Sequence, residues 1–202
     1  TNLTSFFREE HHFDFLKQQV IPHLMKKNSR TRKIRVWSAG CSTGEEPYSI
    51  AIALYESIPD IESWDVKILA TDLDTNVLAH GKAGVYDAER ITGLSKSRTS
   101  TWFLKGKGVH SGSVRVDSRL KSLITFNQLN LMKDWPMRGP FDFMFCRNVI
   151  IYFEKSTQKV LFNRYAELLV DDAFLFLGHS ESLYKVSDKF ELIGNTIYRK
   201  LL

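Results

Sequence analysis

Short hydrophobic runs alternate along this chain with stretches in which apolar residues recur every third or fourth position. Lys33–Ala39 reads as a first strand and Asp65 to Thr71 as a second, ending at Asp72. Leu123 to Gln128 is a third, ending at Asn130-Leu131. Phe141–Cys146 is a buried fourth that runs straight into Arg147-Asn148, and Ala173 to Gly178 is a fifth, ending at His179-Ser180-Glu181. Phe190 to Ile193 and Thr196 to Lys200 pair across Gly194-Asn195 as a closing hairpin. Between these runs the period is helical. Phe13, Leu16, Val20 and Leu24 form one stripe, which Pro22 should kink or restart. Glu45–Ser57 carries Pro47 in its first turn and buries Ile50, Ala51, Leu54 and Ile58. Asn76 to Lys82 follows a cap at Asp74 or Thr75. Ser95 to Phe103 is a short helix, and Lys155 to Leu169 buries Val160, Leu161, Ala166 and Leu169. At the start, Thr4 or Ser5 is placed to cap a short helix, and Phe6 and Phe7 want burial.

The rhythm breaks between Gly84 and Asn127. Lys105 to Arg119 is glycine-rich and alternating, and Val109, Val114 and Val116 predict a small antiparallel hairpin or sheet, inserted at about residues 102–122. The remaining alternation predicts an α/β fold, a mostly parallel Rossmann-like sheet with helices on both faces. Ligands in such sheets bind at the carboxyl ends of the strands. That rule selects Gly40 to Glu45, Asp72, Asn130-Leu131 and Arg147-Asn148, which should converge in space. The loop Ser38-Ala39-Gly40-Cys41-Ser42-Thr43-Gly44 uses small residues where a backbone must pass close to a ligand. A terminal hairpin on a parallel sheet favours the S-adenosylmethionine-dependent methyltransferase variant over a dinucleotide dehydrogenase.

Composition narrows the field without choosing within it. The 202 residues suffice for one domain with a sizeable core, at 43% hydrophobic and 25% charged. Two cysteines, Cys41 and Cys146, make neither a disulfide framework nor a zinc site, and His11, His12, His23 and His179 lack ligand spacing, so no metal is expected. No run has the length of a membrane span or the form of a signal peptide, and a cytoplasmic protein is expected. The chain opens on a dense motif without a Met, and an upstream segment is expected. A net charge of +5 is compatible with an acidic partner. The basic clusters Lys26 to Arg35 and Lys96 to Lys107 lack the interleaved aromatics that stack bases, so nucleic acid is not expected.

Several positions have two readings. Asp72 either meets ribose hydroxyls or caps the next helix, and Asp74 is better placed to cap. Glu45 is a ligand or a favourable charge at a helix N-terminus. Arg147 and Asn148 follow a buried strand, where polar groups need a reason. Tyr152 is a site residue or core with its hydroxyl at the rim.

Together these segments resemble the CheR family of chemotaxis receptor methyltransferases. Thr1 to Glu9, Ser38 to Tyr48, Ala70-Thr71-Asp72-Leu73-Asp74, Phe145 to Phe153 and Gly178-His179-Ser180-Glu181 carry the resemblance, in that order. It covers essentially all of residues 1–202 as a catalytic domain, and it implies an upstream helical domain outside this chain. The resemblance implies methyl transfer from S-adenosylmethionine to glutamates on the cytoplasmic helices of chemoreceptors, leaving S-adenosylhomocysteine. It implies cofactor contacts from Asn2, Thr4, Arg8, Gly40, Glu45, Asp72, Asn130, Leu131, Arg147 and Asn148, and orientation of the substrate glutamate by Arg8 and Tyr152. It also implies that a receptor's C-terminal peptide adds as a strand to the small sheet near Gly106, Gly108, Gly112 and Arg115, with Lys105 where close relatives often carry arginine. The expected protein is a monomer, not inserted in the membrane but recruited to receptor arrays. The Arg147-Asn148-Val149-Ile150 corner lacks the prolines of amine methyltransferases, which argues against an exocyclic-amine acceptor.

Overall fold

The computed structural model describes residues 3–202. Its first helix comes in three pieces: α1 (Glu10–Phe15), a π-helical turn over Leu16–Val20, and α2 (Ile21–Lys27). Pro22 has no N–H to give the helical ladder, and the wider turn ahead of it is where the helix adjusts. The break leaves Phe13, Leu16, Val20 and Leu24 all buried, as their spacing predicts. Thr4 and Ser5 cap no helix. The helix begins instead behind Glu9, which holds φ 56° and gives no side-chain cap.

Two strand–helix units follow: β1 (Lys33–Ala39) with α3 (Glu45–Ser57), then β2 (Asp65–Asp72) with α4 (Thr75–Ala83). Next come β3 (Val85–Asp87), α5 (Lys96–Trp102), β4 (Phe103–Lys105), β5 (Ser113–Val116), α6 (Ser118–Ser122) and β6 (Ile124–Gln128). The chain then runs through β7 (Phe141–Cys146), α7 (Lys155–Leu168), β8 (Leu169–Leu177), β9 (Phe190–Gly194) and β10 (Ile197–Lys200).

The main sheet has the order β6-β2-β1-β7-β8-β10-β9. The first five strands in that order are parallel, and β10 is antiparallel to both β8 and β9. From β1 the chain winds one way through β2 and β6, then returns to lay β7 on the other side. The ends of β1 and β7 therefore flank the switch point at which such sheets form a crevice.

Alternation along the central strands divides the core into two layers. Ile34 and Val36 of β1 and Phe143 and Phe145 of β7 pack with Ile50 and Leu54 of α3. Trp37 and Ala39, with Met144 and Cys146, face Leu161 and Tyr165 of α7. Every residue of β7 is buried, as a strand covered on both faces requires. On α7 the buried stripe is Leu161, Phe162, Tyr165 and Ala166, while Val160, expected inside, is 57% exposed. It sits one helical step off that stripe.

The small sheet has the order β3-β5-β4, all antiparallel. Val114 and Val116 are buried there, but Val109 is almost fully exposed in the short turn Gly108–His110 rather than in a strand. One edge strand, Val85–Asp87, comes from ahead of the expected 102–122 insertion. Three residues are too few to show alternation in the sequence. Among the described residues no helix is long and apolar enough to cross a membrane.

Candidate active site

At the carboxyl ends of β1, β2, β6 and β7 lies a cavity of about 600 Å³, within the range of small-molecule sites. Gly40, Cys41 and Ser42 line it from the loop after β1. Thr71 to Asp74 and Val77 line it from the end of β2 and α4, Leu129 to Met132 from the end of β6, and Arg147, Asn148, Val149, Tyr152 and Phe153 from the segment after β7. Thr4 and Arg8 come from the chain's opening turn, and Glu46 from α3. The four points selected from the sequence do converge.

The loop after β1 is tied to β2 through its backbone. The N–H groups of Gly40 and Cys41 both donate to the Thr71 carbonyl, at 2.8 and 2.9 Å. Gly40 holds φ +73°, and a Cβ there would lie 2.4 Å from Val149 Cγ2, so only glycine lets the two loops touch. Asp72 Oδ2 accepts from Ser42 N at 2.9 Å, and Oδ1 accepts from Asp74 N at 3.1 Å. The helix cap is Asp74, whose Oδ1 accepts from Asn76 N at 2.8 Å. Asp72 is thus released from capping. It lines the cavity with acceptor capacity left over, since a carboxylate offers about four lone-pair sites.

Arg147 is both wall and fastener. Its Nε donates to Glu46 Oε2 at 2.9 Å, and Nη1 donates to the Arg8 carbonyl at 2.5 Å and to His12 Nδ1 at 3.2 Å. Glu46 Oε1 accepts from Ser38 Oγ at 2.7 Å. Burial, reinforced by the neighbouring guanidinium, lowers the His12 pKa to about 3. The opening turn is held from the other side by Phe7 N donating to Ser49 Oγ at 2.9 Å and by Arg90 Nη1 donating to the Thr4 carbonyl at 3.0 Å. Phe6 and Phe7 are buried, as their residue type predicts. The Arg8 guanidinium, by contrast, makes no hydrogen bond or ion pair among the described residues, and it faces the cavity half-buried.

Thr4, Arg8, Gly40, Asp72, Asn130, Leu131, Arg147, Asn148 and Tyr152, all singled out from the sequence, line the cavity. Tyr152 is 64% exposed, at the rim. Asn2 falls outside the described residues. Glu45 does not line the cavity. It is buried on the other side of the turn, where its Oε1 accepts from Thr43 Oγ1 at 2.5 Å and its Oε2 lies 3.8 Å from Arg90 Nη1. Adjacent helical residues point about 100° apart, so only one of the two glutamates can face the site, and it is Glu46. Arg115 lies in β5, and Gly106, Gly108 and Gly112 in the connection between β4 and β5, all away from the cavity lining. A Cβ on Gly106 would meet the His110 carbonyl oxygen at 2.1 Å, so that glycine serves its own turn.

The thiol of Cys41 is pushed well above its ordinary value by burial, with Asp72 and Glu46 adding to the effect, so it is a packing group rather than a nucleophile. Glu9, His11 and His12 place a carboxylate and ring nitrogens within 4.8 Å of one another. However, Arg147 Nη1 stands 3.7 Å from Glu9 Oε2 and donates to His12 Nδ1. Two of the three groups therefore already face a cation of the protein's own.

The sequence reading missed Glu46, Val77 and Met132 on the wall. Behind it, Glu181 was quoted only as part of a motif. An acid just past the end of a buried strand was the available signal.

Residues 2–199 match the family described as CheR methyltransferase, SAM binding domain. The probable chemotaxis protein methyltransferase of Rhizobium etli is 43% identical over 200 residues, which cover 98% of this chain and 75% of that protein. Chemotaxis protein methyltransferase 2 of Pseudomonas aeruginosa is 44% identical over 199 residues, covering 98% and 69% respectively. The chemotaxis protein methyltransferase of Escherichia coli K12 is 42% identical over 200 residues, covering 98% and 67%. Among solved structures, the DszA carbon methyltransferase superposes with a TM-score of 0.51 at 17% identity, over 84% of this chain and 35% of that one, which shows a shared fold. The chain belongs to the CheR methyltransferase family, and the strand-end cavity lies within its S-adenosylmethionine-binding domain.

Proposed function

We propose that this chain transfers the methyl group of S-adenosylmethionine to glutamate side chains of chemoreceptors, as a protein-glutamate O-methyltransferase. The observation that carries this reading is Arg8: a cation facing the cavity with its guanidinium uncommitted among the described residues, with the exposed Tyr152 at the rim of the same cavity. Arg147, the other cation on that wall, is used up by Glu46, Arg8 and His12.

The residues present fit the methyl donor. Asp72 has spare acceptors for hydroxyl donors, Leu131, Met132 and Val77 offer apolar surface to a flat base, and Asp72 and Asp74 suit a ligand that bears a sulfonium. When bound, S-adenosylmethionine supplies an electrophilic methyl carbon. The acceptor glutamate, with an ordinary pKa near ~4.3, is already anionic at neutral pH. A carboxylate oxygen could accept a methyl group to give a methyl ester, with S-adenosylhomocysteine as the leaving product, so the site would have no proton to move. A general base is therefore unnecessary. Arg8 holds one carboxylate oxygen so that the other is presented in line, a contribution of orientation. Tyr152 borders the same path from the rim.

The small sheet has two open edges, since β3 and β4 each pair only with β5 among the described residues, and the edge of β4 adjoins the glycine-bearing connection. That edge is the place at which a receptor's C-terminal peptide would add as a further strand. In this reading the protein works in the cytoplasm, as a monomer recruited to receptor arrays.

The test is incubation of the chain with methyl-labelled cofactor and membranes carrying chemoreceptors. Label on the receptor band, released as methanol by mild base, is expected. Label on RNA, or base-stable label on protein, would overturn the assignment.

A further inference from the structure

Behind the cavity wall, Glu181 forms a bracket. Its side chain is buried, and its two oxygens receive four backbone N–H groups. Oε1 accepts from Val149 at 2.9 Å and Ile150 at 3.0 Å, and Oε2 accepts from Asn148 at 2.9 Å and Gly178 at 2.7 Å. Three of these donors belong to the turn after β7, and the fourth to the end of β8. Four amides converging on one point form an anion nest, here filled by the protein's own carboxylate. Asn148 has φ 59°, outside the usual range of a non-glycine residue, and Gly178 leaves room for it, since a Cβ there would sit 2.7 Å from Asn148 Oδ1. Val149 in turn packs onto Gly40.

We infer that Glu181 is a positioning residue: it holds Asn148 and Val149 against the Gly40 loop and so sets the width of the cavity where the methyl donor binds. This rests on the methyltransferase reading above. Glu181 itself does not line the cavity, and it acts only through the turn it holds.

Glu181→Gln replaces two acceptor sites by an amide that faces N–H groups, and Glu181→Ala empties the nest. In both, with a native near-UV circular dichroism spectrum, the Kd for S-adenosylhomocysteine by calorimetry should rise about tenfold or more. In Glu181→Ala, added formate should refill the nest and recover part of the lost affinity, while chloride at equal ionic strength should not. A carboxylate that served stability alone would lower the melting temperature and leave Kd unchanged. Folded variants that bind within twofold of the wild type, or an Ala variant indifferent to formate, overturn the assignment. Should both variants lose the native spectrum, Glu181→Asp, which keeps the charge on a shorter arm, decides by the same titration: weakened binding supports the role and wild-type binding overturns it. Wild-type protein that binds no S-adenosylhomocysteine would instead overturn the methyltransferase reading itself.

Discussion

Arg147 and Glu46 meet as a buried ion pair, Nε to Oε2 at 2.9 Å, with both side chains less than a tenth exposed. The pair joins the end of β7 to the start of α3, and the remaining donors of Arg147 fasten the opening turn over the cavity. Removing one partner strands the other charge in a dry place. Arg147→Ala should therefore cost about 3–5 kcal/mol of stability in urea unfolding. Arg147→Lys should recover little, because one ammonium cannot reproduce a planar fork aimed at three acceptors. A lysine variant within about 1 kcal/mol of wild type would refute this account.

His12 gives that cluster a pH dependence. Donation from Arg147 to Nδ1 requires a lone pair there, so the ring is neutral with its proton on Nε2, toward Asn195 O and Thr196 Oγ1. Its folded pKa is about 3, against 6.5 when free. The unfolded chain gains this proton as pH falls below 6.5, and the folded protein does not until about 3. The stability involved is thus complete above pH 6.5 and drains away toward pH 3, with a slope of up to about 1.4 kcal/mol per pH unit. His12→Gln lacks that proton uptake, so the wild type's advantage over it should shrink between pH 7 and pH 4.5. A gap that stays constant across urea titrations in that range would contradict the mechanism.

Arg8→Ala should lower turnover on receptor glutamates about 100-fold, as lost orientation of a reacting group does. Its melting temperature should scarcely move, because the guanidinium makes no bond within the described residues. Unchanged methyl transfer with labelled cofactor would remove Arg8 from the reaction.

Asp72 ties down Ser42 and lines the cavity, and in the proposed function its remaining acceptors meet the methyl donor. Asp72→Ala should weaken S-adenosylhomocysteine binding about 10- to 100-fold, the cost of one or two charge-assisted hydrogen bonds. Calorimetry showing wild-type affinity would leave Asp72 a loop fastener and nothing more.

Legibility in the sequence followed the range of the forces involved. β1, α3, β2 and β7 were readable because period and punctuation are local, and so was the division of labour between Asp72 and Asp74. The choice between Glu45 and Glu46 was not, since it depends on how α3 is rotated about its axis against Arg147, a residue 101 positions away. Val160 and Val109 were misplaced for a similar reason: hydrophobic type gives a preference for burial, and packing partners decide whether it is met. β3 is three residues long and carries no period at all. Arg147 posed the question of why a polar group follows a buried strand, but its answer lay in His12, Glu46 and Arg8, which only the folded chain brings together.

The strand directions have a practical consequence for handling the protein. β10 is antiparallel to β8, so it starts beside the cavity end of the sheet and finishes at the opposite end, where Lys200 Nζ donates to the Leu169 carbonyl. Thr4, by contrast, lines the cavity. Affinity tags, fluorophores and surface-coupling chemistry therefore belong after Lys200, a full strand length from the cavity.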